Sequence, residues 1–128
     1  MARLRKQYHF RPSPNGFYAW NVGRLIRLAQ GLPVVEIPLS SIAELDELWW
    51  FQTEDDRLTP RALAEHFRLV QDVDLSFPIV LCPQGRLMDG MHRIVKALVS
   101  GTDTIAVVRL EEMPLPDHVD VQPADLSY

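Results

Sequence analysis

Apolar positions along this chain alternate between a helical and a strand-like period, and each change of period predicts an element. Over residues 20–30, Val22, Leu25, Ile26 and Ala29 recur three and four apart, and Gly31 and Pro33 stand where a helix should stop. Residues 34–39 are β-branched and bounded by prolines, as a strand would be. Ser41, with Glu44 three residues on, forms a capping box ahead of Leu45, Leu48 and Trp49, which predicts a short helix to about Phe51. Glu54, Asp55 and Asp56 then break the pattern. Thr59 followed by Pro60 supplies an N-cap and a proline in the first turn, opening a helix with Leu63, Phe67 and Val70 on its inner face. Beyond it the spacing predicts a strand at 79–82, a turn at 83–85, a strand at 86–88, a helix at 91–99 closed by Gly101, and a strand at 105–110. Pro114, Pro116 and Pro123 among scattered acids read as an extended tail that straps onto the body.

Composition narrows the class. A chain of 128 residues with 47% hydrophobic and 23% charged content fits one globular α/β domain with a core of its own. No apolar run approaches the roughly 20 residues of a bilayer crossing, so no membrane association is expected. Residues 1–11 hold Arg3, Arg5, Lys6 and Arg11 without an apolar stretch behind them, so they do not read as a secretory signal and a cytoplasmic address is expected. The single cysteine, Cys82, offers no internal disulfide and no zinc cluster. The net charge of -4 conceals an asymmetry: residues 36–56 carry seven acids and no lysine or arginine, and residues 111–128 carry five and none. Both stretches repel phosphate backbones, which disfavours nucleic acid as a partner and leaves only the short N-terminal basic cluster for it.

The chemistry concentrates at Asp89-Gly90-Met91-His92-Arg93, where a strand, a tight turn and a helix follow without a break. A helix start offers unpaired backbone N–H groups and the positive end of the macrodipole, a ready site for phosphate or carboxylate. Cations in that first turn are disfavoured by roughly 0.3–1 kcal/mol each when exposed, so His92 and Arg93 are oddly placed unless Asp89 or a bound anion offsets them. Gly90 would let a ligand approach the backbone, Arg93 can grip two phosphate oxygens at once, and Lys96 lies one turn further along. The plain alternative has Asp89 capping the helix and Arg93 paired with an acid such as Glu54 or Asp55.

This segment, with Lys96-Ala97-Leu98, Gly101 and the strand at 105–110, resembles the ParB/sulfiredoxin superfamily in its Asp-Gly-x-His-Arg form, over about residues 34–110. The resemblance implies a small mixed sheet with flanking helices over residues 34–112, preceded by an N-terminal extension with one helix (1–33) and followed by the acidic tail (113–128). Members of that superfamily bind nucleotide phosphates at this loop and helix start; they include CTP-dependent partition proteins, ATP-dependent sulfinic acid reductases and ADP-dependent serine kinases. Carried over position by position, it implies that Gly90, His92 and Arg93 cradle phosphate, beside Met91 and Lys96, while Asp89 shapes the turn or reaches a metal-bound water. Sulfiredoxins place their reactive cysteine where this chain has Met91, whose thioether cannot become a nucleophile, so sulfinic acid reduction is excluded. Cys82 falls on a predicted core strand and reads as packing. Partition proteins follow this unit with a DNA-binding helical domain, whereas residues 111–128 are acidic and proline-bearing, so partitioning is not expected.

The serine kinases carry Asp-Gly-His-His-Arg, the nearest spelling to this one, and such enzymes need a carboxylate base. Glu44, Glu47, Glu54 and Asp55 are available, with Glu47 and Glu54 the leading choices; the competing reading is a solvated acidic loop. Asp55 and Asp89 could hold Mg²⁺ beside a bound nucleotide. Successive helical residues point about 100° apart, so Trp49, Trp50 and Phe51 cannot all face one core, and Trp49 or Trp50 could stack on a base. His66 reads as a capped or core-edge histidine, and His9 has no local context. The first expectation is therefore a module binding ATP, ADP, CTP or another small phosphorylated ligand. The second is a nucleotide-dependent phosphotransferase or hydrolase, and the third a partner or nucleic-acid interaction module without catalysis.

Overall fold

The computed structural model describes residues 7–51 and 56–126. In chain order the elements are β1 (Tyr8–Ser13), β2 (Gly16–Asn21), α1 (Val22–Ala29), β3 (Val35–Pro38), α2 (Pro60–Asp72), β4 (Ile79–Leu81), β5 (Leu87–Asp89), α3 (Met91–Val99), β6 (Thr104–Arg109) and β7 (His118–Val121). They form one small mixed α/β domain with two sheets. One is antiparallel in the order β1-β2-β7, and the other runs β3-β6-β4-β5, with β4 and β6 parallel and the remaining pairs antiparallel. Among the described residues no helix is long and apolar enough to cross a membrane.

Strands β4, β5 and β6 are buried on both faces, which is why β4 and the middle of β6 read as unbroken apolar runs, while β3 at the edge is mostly exposed. Strand side chains alternate, so Ile79, Leu81, Leu87, Ile105 and Val107 meet Ile94 and Ala97 of α3 on one face. Val80, Cys82, Met88, Val108 and Leu110 meet Trp20 of β2 and Leu25 and Ala29 of α1 on the other. At about 1.5–3 kcal/mol for each large side chain fully buried, these two layers dominate the folding energy. The tail joins the same body: Asp117 N–H donates to Ala19 O at 2.8 Å, Trp20 Nε1 donates to Pro114 O at 2.8 Å, and Arg24 Nη1 to Leu115 O at 2.6 Å.

Three sequence expectations are corrected. Residues 8–21 form a hairpin that the helix-period reading passed over, so Trp20 ends a strand and α1 starts two residues later, capped by Asn21 accepting from Arg24 N–H. The helix expected from Ser41 to Phe51 is replaced by two short 3-10 turns at Leu39–Ser41 and Ala43–Asp46. Its capping box is dismantled by stronger partners: Ser41 Oγ donates to Pro38 O, and the buried Glu44 carboxylate accepts from Leu87 N–H at 2.5 Å, satisfying a backbone donor on an edge strand. Helix α2 starts as expected, Thr59 accepting from Ala62 N–H, but Leu63 (54% exposed) and Phe67 (58%) face solvent, and only Val70 of the three is buried. The side of α2 that meets α3 carries His66, which contacts His92.

Candidate functional site

The turn between β5 and α3 is shaped by Gly90. Its φ of +122° disfavours any side chain, and a Cβ there would lie 2.5 Å from Cγ2 of Ile79. The close approach that glycine permits here is to the neighbouring strand, and Gly90 also lines a cleft beside this turn. Gly90 occupies the N-cap position of α3, and no side chain caps the helix there. Asp89 pairs with the Arg93 side chain of the first turn.

That pair is 2.7 Å long, between Arg93 Nη2 and Asp89 Oδ2, with each side chain about one-sixth exposed. Burial raises the Asp89 carboxyl above its ordinary range, and the Arg93 charge and hydrogen bond only partly offset that. Arg93 is not saturated by its partner. Its Nε is closed off from solvent and has no acceptor among the described residues, an arrangement that costs about 1–3 kcal/mol. Both residues line a cleft of about 420 Å³.

On the floor of that cleft the structure assembles something local sequence gave no sign of. His66 Nδ1 of α2 lies 2.9 Å from His92 Nε2 of α3, a hydrogen bond joining two imidazoles whose planes differ by 22°. Trp50 stacks on both, with ring centroids 4.1 Å from His66 and 4.5 Å from His92. Since the imidazole centroids are 5.1 Å apart, the three form a near-equilateral triangle, which puts both histidines side by side on one face of the indole. Phe51 meets His66 edge-on. Burial, His66 and the Arg93 guanidinium push the pKa of His92 down to about 4, and burial also lowers that of His66, against the opposing charges of Asp56 and Glu65. The pair is neutral at pH 7, so His92 is not the cation expected in this first turn.

The same cleft is lined by a third histidine. His9 of β1 is buried, accepts from Arg11 Nε at 2.9 Å through its Nε2, and stacks on Trp49 at 5.8 Å and 17°. Burial first, and Arg11 second, lower its pKa to about 3. Trp49 and Trp50, both expected as base-stacking candidates, thus each have a histidine on one ring face.

Other expected site residues lie elsewhere. Glu47 makes two hydrogen bonds to Arg86, at 2.6 and 2.8 Å, which lower its pKa and withdraw it as a base beside Arg93. Glu44 is occupied by Leu87 N–H and lies 3.7 Å from Arg86 Nε. Lys96 leaves the cradle altogether: its Nζ donates to Gln71 O at 3.0 Å and Val73 O at 2.7 Å, closing the C-terminal end of α2. Met91 packs its side chain into the core. Glu54 and Asp55 lie outside the described residues. Cys82 is buried, as a core position should be. Among the described residues, no group of three or more His, Cys, Asp or Glu is placed to hold a metal ion. The motif thus delivers Asp89, Gly90, His92 and Arg93 to one place, and the fold adds His66 from 26 residues upstream. Compared with protein-family models, curated proteins and solved structures, the chain finds no match.

Proposed function

We propose that this protein binds a small phosphorylated ligand, a nucleotide or another phosphate ester, in the cleft at the start of α3. The observation that carries the reading is a helix N-terminus without a side-chain cap, opening beside Arg93 on the wall of a cleft large enough for such a ligand. Backbone N–H groups and the macrodipole favour an anion there, and the Arg93 guanidinium, drawn from Asp89, adds charge-assisted hydrogen bonds. The Asp-Gly-x-His-Arg resemblance to the ParB/sulfiredoxin superfamily points the same way. An incoming phosphate competes with Asp89 for Arg93, and a carboxyl whose charged form is already disfavoured by burial is a weak competitor.

Thermal unfolding with inorganic phosphate, AMP, ADP, ATP and CTP, with and without Mg²⁺, tests this. A ligand at 100 times its dissociation constant stabilises by about 2.7 kcal/mol. At least one should raise the melting temperature, and Arg93→Ala should abolish that rise while the variant remains folded. Absence of a shift with every compound removes the reading and favours a partner module instead.

A further inference from the structure

We propose that His66 and His92 form a proton-transfer pair and that the cleft hydrolyses a phosphate monoester of an apolar or aromatic alcohol, an inference that rests on the phosphate-binding reading above. The substrate class follows from the walls. Among the described lining residues only Asp89 and Arg93 are charged, so the site offers one guanidinium and one helix start, enough for a single phosphate group. A triphosphate would bring several negative charges to one cation. The remaining walls, including Val22, Ile26, Leu69, Val73 and Met88, suit an apolar body.

The chemistry follows from the pair. Two neutral imidazoles sharing one hydrogen bond leave one outer nitrogen with a proton and the other with a lone pair, whichever tautomer is present. Neither outer nitrogen, His66 Nε2 or His92 Nδ1, has a hydrogen-bond partner among the described residues. When His92 Nε2 donates to His66 Nδ1, His92 Nδ1 is the acceptor, one residue from Arg93. A water oxygen then forms the new P–O bond as its proton passes to His92. The ester P–O bond breaks with its electron pair going to the alcohol oxygen on the far side of phosphorus, which takes its proton from His66 Nε2 as the shared proton passes from His92 Nε2 to His66 Nδ1. The products are the alcohol and inorganic phosphate, and the pair ends neutral. His92 is the base and His66 the acid, so both are catalytic residues. Trp50 holds both rings in register. No carboxylate is needed, which fits the engagement of Glu47 with Arg86.

The test uses the full chain with 4-nitrophenyl phosphate and AMP as probes and ATP as the comparison, following phosphate release and binding separately. Release from the monoesters should exceed that from ATP. His92→Gln and His66→Gln should each lower kcat by about 100-fold, in the range general acid–base groups contribute, with KM changed by less than about threefold. Because the two act as a unit, the double variant should be no slower than the slower single one. His66→Gln should also move the acid limb of the kcat/KM profile to higher pH, with Asp56 and Glu65 beside His66, and Arg93 and Asp89 beside His92, left in place. A purely structural His66 would leave that limb where it is. Multiplicative losses in the double variant, or a probe that binds without releasing phosphate, overturn this inference and leave the binding reading standing. Failure of every probe to bind removes both.

Discussion

Two histidine environments line the same cleft, and their difference separates a structural imidazole from a chemically usable one. Both stack on tryptophan, His9 buried and His92 half-buried, and both are held neutral with a pKa well below the ordinary value. His9 takes its hydrogen bond from Arg11, a permanent cation, which fixes Nε2 as an acceptor and leaves one tautomer. His92 shares its hydrogen bond with another imidazole, which can give or receive. Burial alone therefore does not mark a functional histidine. What matters is whether the partner leaves the proton anywhere to go.

The largest expected effect tests the His9 side. A folded pKa of about 3 against an ordinary value of 6.5 means the unfolded chain binds a proton that the native one refuses. Stability contributed by neutral His9 is thus intact above pH 6.5 and lost as pH falls toward 3. At about 1.4 kcal/mol per unit, the loss reaches about 3 kcal/mol by pH 4. His92 acts in the same direction. Urea unfolding at pH 7 and pH 4 should show His9→Gln losing about 3 kcal/mol less over that interval than the wild type, since glutamine keeps an acceptor for Arg11 without a titrating group. An equal loss in both proteins would mean that His9 is protonated in the fold and that the contrast between the walls is false.

A smaller effect sharpens the His92 side. Trp50→Leu removes the indole face under both imidazoles, and we expect about 2 kcal/mol of destabilisation for a half-buried aromatic replaced by a smaller side chain. The informative readout is the histidine titration by NMR. His92 should rise from about 4 toward its ordinary value, because burial is the first cause of its depression, while His9, stacked on Trp49, stays where it is. Movement of both would make the two walls one coupled unit.

How much of this was legible beforehand depends on the range of the interaction responsible. Local devices were readable: Thr59 with Pro60 started α2, and the apolar runs at 79–82 and 105–110 gave the central strands. The hairpin at 8–21 was readable too, from aromatic-rich runs flanking Pro14-Asn15-Gly16, but the helical spacing of Val22 to Ala29 was extended backward over its end. The helix at 41–51 failed because Glu44 is used 43 residues away, at Leu87 N–H. The site divides in the same way. Asp89, Gly90, His92 and Arg93 announce themselves as a contiguous motif, whereas His66 acquires meaning only through a contact between two helices.

Lys96 gives the smallest effect and the sharpest boundary. It lies one turn beyond His92, where spacing alone puts it in the cradle, yet its ammonium is spent on the carbonyls of Gln71 and Val73. Those carbonyls belong to the end of α2, where helix carbonyls lack intrahelical partners and a cation is favoured by the macrodipole. Lys96→Met keeps most of the stem packing and removes only the donors, so it should cost about 1 kcal/mol, measured by urea unfolding, with phosphate affinity unchanged. A loss of affinity comparable to that of Arg93→Ala would place Lys96 back among the ligand-binding groups and extend the reactive wall a full turn along α3. With affinity retained, the wall ends at Arg93, and the same helix carries recognition in its first turn and the closure of α2 in its second.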